Sequence, residues 1–388
     1  MDFETAKKFI DLLLNPDPIT VEWCDSRNSI AAIIEFIGGE PLLEIELIDQ
    51  ISDYFIEQCI AQDHPWQYNY MFDICSNGVA YFNPKVQEYL NKYKSHLSFS
   101  VSIDGNKELH DSCRVFPDGS GSYDIAMAAV RDWVDNKGGK MGSKMTLAPQ
   151  NIIYTKDAVI GLIEAQYDEI NLNCVFEKGW TEEHATILYH QLIELADYLL
   201  TNNLDDDIYI SMFQDTIGRP KLLTDDQTWC GGNGKNSMLA LDWKGDIFPC
   251  IRYMESSLGT DIEPVKIGDV EHGIGNTAKC QQCIHQLRNI DRFTKSTLEC
   301  LECPIAEGCA DCAAYNYEDA GGKFNQKATY ICVMHKARVL ANCYYWNMLY
   351  HKNNENKRFK LWLSDEEALK IITLEELEFL KALQYPLE

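Results

Sequence analysis

Over roughly the first two hundred residues, short apolar runs alternate with stretches whose apolar positions recur at i, i+3 and i+4. The runs at 32–37, 68–74, 97–103, 144–147 and 169–173 predict strands. Between them lie helical patterns, first at 43–60, where Leu47, Ile48, Ile51, Tyr54 and Phe55 share one face, and later at 182–200. Strands alternating with helices predict stacked β/α units on a parallel sheet. Such units build a doubly wound sheet or a full or partial barrel, and both gather their chemistry at the carboxyl ends of the strands. Beyond about Leu222 the sequence turns rich in Gly, Cys and turn residues, which marks a second domain. Residues 338–350 look helical, 351–357 read as a linker, and the polar tail carries two capping-box patterns, Ser364 with Glu367 and Thr373 with Glu376. The expected division is therefore 1–222, 223–348 and 349–388.

Composition narrows the function. The chain has 388 residues and a formal net charge of −26, which argues against a nucleic-acid partner because phosphate binding needs a basic footprint. An acidic surface serves solubility or attracts a basic partner such as a peptide. The amphipathic start, with Asp2, Glu4, Lys7, Lys8 and Asp11, does not read as a secretory signal. No apolar run approaches the roughly twenty residues that span a bilayer. A cytoplasmic address is expected. That bears directly on the fifteen cysteines, ten of which fall between Cys230 and Cys343. In a reducing compartment such density reads as metal or catalytic chemistry, not as a disulfide framework. By spacing alone, the pairs Cys280-x2-Cys283, Cys300-x2-Cys303 and Cys309-x2-Cys312 suit zinc or iron–sulfur equally. Cys24, Cys59, Cys75, Cys113 and Cys174 stand alone and read as small buried hydrophobes.

The predicted strand ends carry polar clusters. The first runs into Gly38-Gly39-Glu40-Pro41, the second into Cys75-Ser76-Asn77-Gly78, and the third into Ser102-Ile103-Asp104-Gly105, followed by His110, Asp111 and Arg114. Glycines at a strand end admit close backbone approach by a ligand, and a nearby carboxylate can bind an amino group. Each motif alone could be a turn; in this order they suit a cofactor bearing hydroxyl, amino and carboxylate groups. Together they resemble the S-adenosylmethionine (SAM) site of radical SAM enzymes. The resemblance implies an α/β fold, a partial (β/α)6 TIM-like barrel, with Gly38, Gly39, Glu40 and Pro41 at the methionine amino group. It puts Ser102 and Asp104 near the ribose and Arg114 at the SAM carboxylate, a role that suits a forked guanidinium. Ser76 and Asn77, with Thr146 and Asn173 at later strand ends, are weaker carry-overs.

The cysteine run continues the likeness. Cys230, Gly245-x4-Cys250, Cys300-x2-Cys303-x5-Cys309-x2-Cys312 and Cys332 resemble the SPASM extension of radical SAM peptide-modifying enzymes, with x2 in place of the usual x3 before Cys312. The resemblance implies auxiliary [4Fe–4S] clusters and tips the zinc alternative toward iron–sulfur. Cys300, Cys303, Cys309 and Cys332 would hold one cluster. Cys230, Cys250 and Cys312 would hold the other with a vacancy, which Cys280 and Cys283 could complete; Cys343 is not expected to be a ligand. The family also needs Cys-x3-Cys-x2-Cys after its first strand, and this sequence contains none. The first strand and its cluster loop are therefore expected either to lie upstream of Met1 or to be lost in a degenerate homologue. The run Cys300 to Tyr317 and the Val333-Met334-His335-Lys336-Ala337-Arg338 segment are similar to peptide maturases of the CXXX-repeat-target group. That implies modification of a ribosomally made, Cys-containing precursor through a 5′-deoxyadenosyl radical, with thioether formation as the natural product and ferredoxin or flavodoxin as electron donor. Two alternatives stand: a non-catalytic iron–sulfur protein that binds precursor peptide or carries electrons, and a formylglycine-forming sulfatase maturase. The latter places an Asp where this chain has Ile251.

Overall fold

The computed structural model describes residues 1–24, 26–222, 230 and 238–385. The expected boundary near 222 therefore abuts residues 223–229, which lie outside the described residues.

All five predicted strands form. β1 (Ala32–Phe36), β2 (Tyr70–Ser76) and β3 (Leu97–Val101) pair in parallel in that order. β4 (Gly142–Leu147) and β5 (Glu169–Cys174) pair in parallel and are joined by a two-residue strand, β6 (Tyr209–Ile210). Parallel pairing demands crossovers, and helices Ile45–Ala61, Pro84–Lys92, Tyr123–Asn136, Thr155–Glu164 and Glu182–Thr201 fall between and after the strands to supply them. Side-chain alternation sets the faces. In β3, Leu97, Phe99 and Val101 are buried while Ser98 is exposed; in β4, Met145 and Leu147 are buried while Lys144 and Thr146 are exposed. One face thus seals against helices and the other stays polar.

The ladder is interrupted between β3 and β4, which fall in separate three-stranded sheets. The seam is lined by Ser98, Ser100, Lys140, Lys144, Glu169 and Asn171, side chains that hydrate more readily than they pack. At its carboxyl end the Tyr167 hydroxyl donates to the Val101 carbonyl at 2.9 Å, tying β3 to the second sheet.

A second core follows, built around a short antiparallel meander: β7 (Ala240–Leu241), β8 (Asp246–Phe248), β9 (Gly268–Asp269) and β10 (Gly273–Ile274). Ile247, Tyr253, Val265, Ile267, Leu287 and Tyr317 fill it, and Trp23 enters from the N-terminal segment. That segment therefore bridges the two cores, since Ala6, Ile10 and Leu14 belong to the barrel core. Arg288 pairs with Glu22 across the junction at 2.9 Å.

The long helix Cys332–Lys352 leaves the cysteine region and lies against Glu182–Thr201. It is longer at both ends than the helical stretch predicted at 338–350, and it absorbs the start of the expected linker. Its Ala337, Leu340 and Ala341 are fully buried in the barrel core, which also takes in Ile371, Ile372, Leu377 and Leu380 of the tail. Thr373 and Glu376 form the expected capping box. Ser364 caps Glu367 in one direction only, because the Glu367 carboxylate is drawn to Lys336 and Lys370. Among the described residues no helix is long and apolar enough to cross a membrane.

Asn342 fastens this helix to the segment that follows β6. Its amide nitrogen donates to the Met212 carbonyl at 2.8 Å, and its oxygen accepts from Gln214 N at 2.8 Å and Trp346 Nε1 at 3.1 Å. Asn342→Leu strands at least two buried groups and should cost on the order of 2–4 kcal/mol. Urea unfolding monitored by far-UV dichroism measures it, with an unchanged midpoint contradicting the assignment.

Candidate functional site

The carboxyl ends of β1, β2 and β3 meet at Glu40. Its Oε1 accepts from Ser76 Oγ at 2.7 Å and Leu42 N at 3.1 Å, and its Oε2 accepts from Asn77 N at 2.8 Å. Ser76 Oγ in turn accepts from Gly78 N at 2.9 Å. Gly38 and Gly39 adopt φ of +104° and +54°, and open space lies where a Cβ would stand on either. Backbone that only glycine adopts easily, facing nothing, is a surface a ligand can approach closely. Pro41 is buried at the start of the turn Pro41–Glu44 and fixes its entry.

Ser102 stands next along this edge, with its Oγ 3.4 Å from Cys75 Sγ and its N–H donating to Ser76 O at 2.8 Å. Farther out, Arg114 Nε donates to Asp104 Oδ2 at 2.5 Å. Six of the nine anticipated cofactor residues thus form one locked cradle, Ser102 abuts it, and Asp104 and Arg114 pair with each other. Thr146 and Asn173 are register partners on the exposed face of β4 and β5, with no hydrogen bond to that cradle among the described residues. Cys113, expected in the core, is exposed instead. As the last residue of Lys107–Cys113 it faces Asp104 Oδ2 at 3.6 Å, and partial burial with that carboxylate pushes its thiol pKa up.

His110 holds the Asp104–Arg114 pair from behind. It is fully buried, and its Nδ1 accepts from Asp104 N at 3.3 Å. Nε2 must then carry the proton, and it lies 3.1 Å from Ser122 Oγ, which donates to the Arg114 carbonyl at 3.0 Å. A histidine three residues before a helix end carries no local sign in the sequence of this part.

The cysteines gather in two groups. In the first, the Cys309 and Cys332 thiols act on each other, which lowers the Cys309 thiol pKa and raises that of Cys332. Cys300 acts electrostatically on Cys332, and Cys300 and Cys309 both act on Cys303. Lys327 Nζ lies 3.7 Å from Cys309 Sγ. In the second group, burial pushes the Cys250 thiol up to about 11, the Cys230 and Cys312 thiols add to the rise, and the N–H groups of Arg252 and Tyr253 oppose it. Cys280 and Cys283 sit on the helix Ala278–Arg288, and Cys283 packs against the same second core as Cys230, Cys250 and Cys312. Cys343 lies in the barrel core. All fifteen cysteines stand outside disulfides among the described residues.

The donor sets can be tested against the groups the motifs imply. No three His, Cys, Asp or Glu side chains among the described residues close on a point fit for a single metal ion, as one tetrahedral zinc would require. A four-iron cluster draws thiolates from a wider ring, and four thiols and three thiols gather here. The trio packs against the core that holds a buried hydroxyl, Tyr253 Oη, with no hydrogen-bond partner among the described residues; an orphan of this kind costs about 1–3 kcal/mol unless something else fills the space. Donor sets made of thiols alone suit the chemistry of iron–sulfur groups. The cradle fits SAM. A SAM-cleaving cluster does not fit, because the residues present offer no Cys-x3-Cys-x2-Cys triad.

No family model matches the chain. An uncharacterized protein of Methanocaldococcus jannaschii is 29% identical over 250 residues, 64% of this chain and 75% of that one. Among solved structures, anSMEcpe with bound AdoMet aligns with a TM-score of 0.63 at 16% identity, covering 91% of this chain and 90% of its own. The same protein with AdoMet and the Kp18Cys peptide aligns at 0.62 and 15% identity, covering 90% of each chain. This chain has the anSMEcpe fold. That neighbour is an anaerobic sulfatase-maturating enzyme of the radical SAM/SPASM class. The α/β architecture with parallel strands matches that class, as the strand-end motifs implied.

Burial lowers the His110 pKa, and Arg114 lowers it further against the opposing pull of Asp104 and Asp111. A histidine depressed in the folded state contributes stability that is present above its unfolded value, near 6.5, and is lost as pH falls toward the folded one. Wild-type stability should therefore drop between pH 7.5 and pH 5.5 more steeply than that of His110→Gln. Parallel urea midpoints at the two pH values read the difference, and equal slopes would remove His110 from this role.

Proposed function

We propose that this chain is a SAM- and iron–sulfur-binding maturase that acts on a ribosomally made, cysteine-containing peptide. The observation that carries the reading is the cradle in which Glu40 is fixed by Ser76, Asn77 and Leu42 beside two open glycines. Held by three donors, the Glu40 carboxylate needs no rearrangement to accept an ammonium group. Asp104 occupies Arg114 Nε and orients its guanidinium; the terminal nitrogens make no other hydrogen bond among the described residues and can take a carboxylate in a fork. Ser102 offers a hydroxyl to a ribose.

At the second site, Cys300, Cys303, Cys309 and Cys332 would hold a four-thiolate cluster, and Cys230, Cys250 and Cys312 a three-thiolate one. Cys280 and Cys283, on the helix Ala278–Arg288, could complete the three-thiolate set, since Cys283 packs against the same core as Cys230, Cys250 and Cys312. When SAM and its reducing cluster are bound, they supply a 5′-deoxyadenosyl radical that takes hydrogen from a substrate carbon. This sequence holds no Cys-x3-Cys-x2-Cys triad for that cluster. What the chain's own groups do is grip SAM at both ends of its methionine and keep the auxiliary thiols in place.

A formylglycine-forming reaction is the second reading, favoured by the likeness to anSMEcpe and opposed by Ile251 at the position of the expected Asp base. Peptide recovered from cells co-expressing the chain separates the readings. Thioether cross-linking removes two hydrogens and keeps sulfur, formylglycine formation removes sulfur, and a non-catalytic carrier leaves the mass unchanged.

Anaerobic reconstitution with iron and sulfide should load roughly eight irons per chain, as two [4Fe–4S] groups require, and Cys332→Ala should lose about half of them. A wild-type chain that takes up no iron would end the proposal. Arg114→Met should weaken SAM binding by roughly 10–100-fold, the worth of a charge-assisted hydrogen bond. Equilibrium dialysis with labelled SAM checks it, and unchanged affinity would remove Arg114 from the site.

A further inference from the structure

Tyr253 sits at the end of the turn Ile251–Tyr253, which begins directly after Cys250. Its N–H donates to Cys250 O at 3.1 Å and its carbonyl accepts from Val265 N at 3.1 Å, so its backbone is pinned on both sides. The side chain is fully buried in the second core, against which Cys230, Cys250 and Cys312 also pack. Tyr317 meets its ring edge-on at 5.9 Å. The Tyr317 hydroxyl is already committed to Glu263 O at 2.9 Å. Tyr253 Oη has no hydrogen-bond partner among the described residues. Buried phenols ordinarily find one, and the ionisable neighbours here are the three thiols and Tyr317.

Resting on the cluster reading above, we infer that Tyr253 is a positioning residue for the group held by Cys230, Cys250 and Cys312. Its O–H donates a hydrogen bond to a sulfur of that group, a thiolate or a bridging sulfide. The trio supplies three thiolates where four are usual, and the phenol gives the same site a polar contact that is neutral. A donor aimed at cluster sulfur stabilises the reduced, more negative state and raises the reduction potential. The backbone N–H groups of Arg252 and Tyr253 at Cys250 act in the same sense. Tyr253 thus adds a side-chain donor to a set otherwise made of main chain.

The test compares the full wild-type chain with Tyr253→Phe, both reconstituted anaerobically and titrated against a redox mediator series with electron paramagnetic resonance as the readout. The expected result is equal iron content, one midpoint moved to a more negative potential and the other unmoved. In a Cys332→Ala background, which keeps the three-thiol cluster alone, the same negative shift should appear. The metal-free Phe variant should melt at the same or a higher temperature, since it loses only an unpaired hydroxyl. Midpoints that coincide in wild type and variant overturn the inference. So does loss of one cluster's iron from Tyr253→Phe, which would make the phenol oxygen a ligand and not a donor. A wild-type chain that takes up no iron overturns the cluster reading itself, and the two failures are told apart by that first measurement.

Discussion

Everything beyond the barrel hangs on the packing of the helix Cys332–Lys352 against Glu182–Thr201. Its first residue is Cys332, whose thiol is coupled to that of Cys309. Less than two turns farther along, Arg338 reaches the carbonyls of Ser211 at 2.6 Å and Met212 at 3.0 Å, and Asn342 binds the same segment after β6. Ala337, Leu340 and Ala341 let the two helices approach closely, because small and branched apolar side chains interdigitate without a gap. A shift of this helix would move a thiol directly, so the barrel core is also the foundation of the thiol site. The half-buried Arg338 stiffens that coupling, since a displaced guanidinium would lose the Ser211, Met212 and Gln214 acceptors that satisfy it.

The strand ends solve a related problem. A carboxylate meant to bind an ammonium group must stay charged and stay still, and both needs are met by donors that come from a different strand. Glu40 follows β1, yet Ser76 and Asn77, which hold it, follow β2. Parallel neighbours bring such ends together without any loop having to reach. The same logic recurs at Asp104 and Arg114, where the donor comes from the end of the following helix and His110 and Ser122 fix the backbone around it.

How far the sequence discloses this follows from the length of each periodic signal. Strands of five to seven residues such as β1 and β2 carry enough alternation to be read, and a Gly-Gly-Glu-Pro ending marks where the first stops. β6 and the meander strands β7 to β10 have two or three residues each and carry no period at all. The seam between β3 and β4 was equally hidden, since it arises from which polar side chains face one another across strands far apart in sequence. Among the cysteines, spacing suggested pairs, but whether Cys280 and Cys283 join the trio depends on how a helix is rotated. Cys113 and Trp23 make the same point. A cysteine at a helix end and a tryptophan in an N-terminal segment look locally like core residues of the barrel; one is exposed at the strand-end site, and the other serves the second core.

The two thiol groups differ most in how their negative charge would be met. A cluster with four thiolates is anionic, and this chain already carries a formal −26, so bulk charge gives no help. Near Cys309 the answer is cationic: Lys327 approaches its sulfur, and Lys295, in a buried ion pair with Asp311, lies within electrostatic reach of Cys309 and Cys230 alike. Around Cys250 the answer is dipolar, from main-chain N–H groups. A full positive charge at 3.7 Å in a partly buried site outweighs a neutral donor at similar range. With a cluster bound in each site, the four-thiol one therefore gains more from its surroundings on reduction. Its extra thiolate pulls the other way, adding one negative charge that the trio lacks. If both sites bind clusters as proposed, the lysine offsets the additional thiolate charge of the four-thiol site.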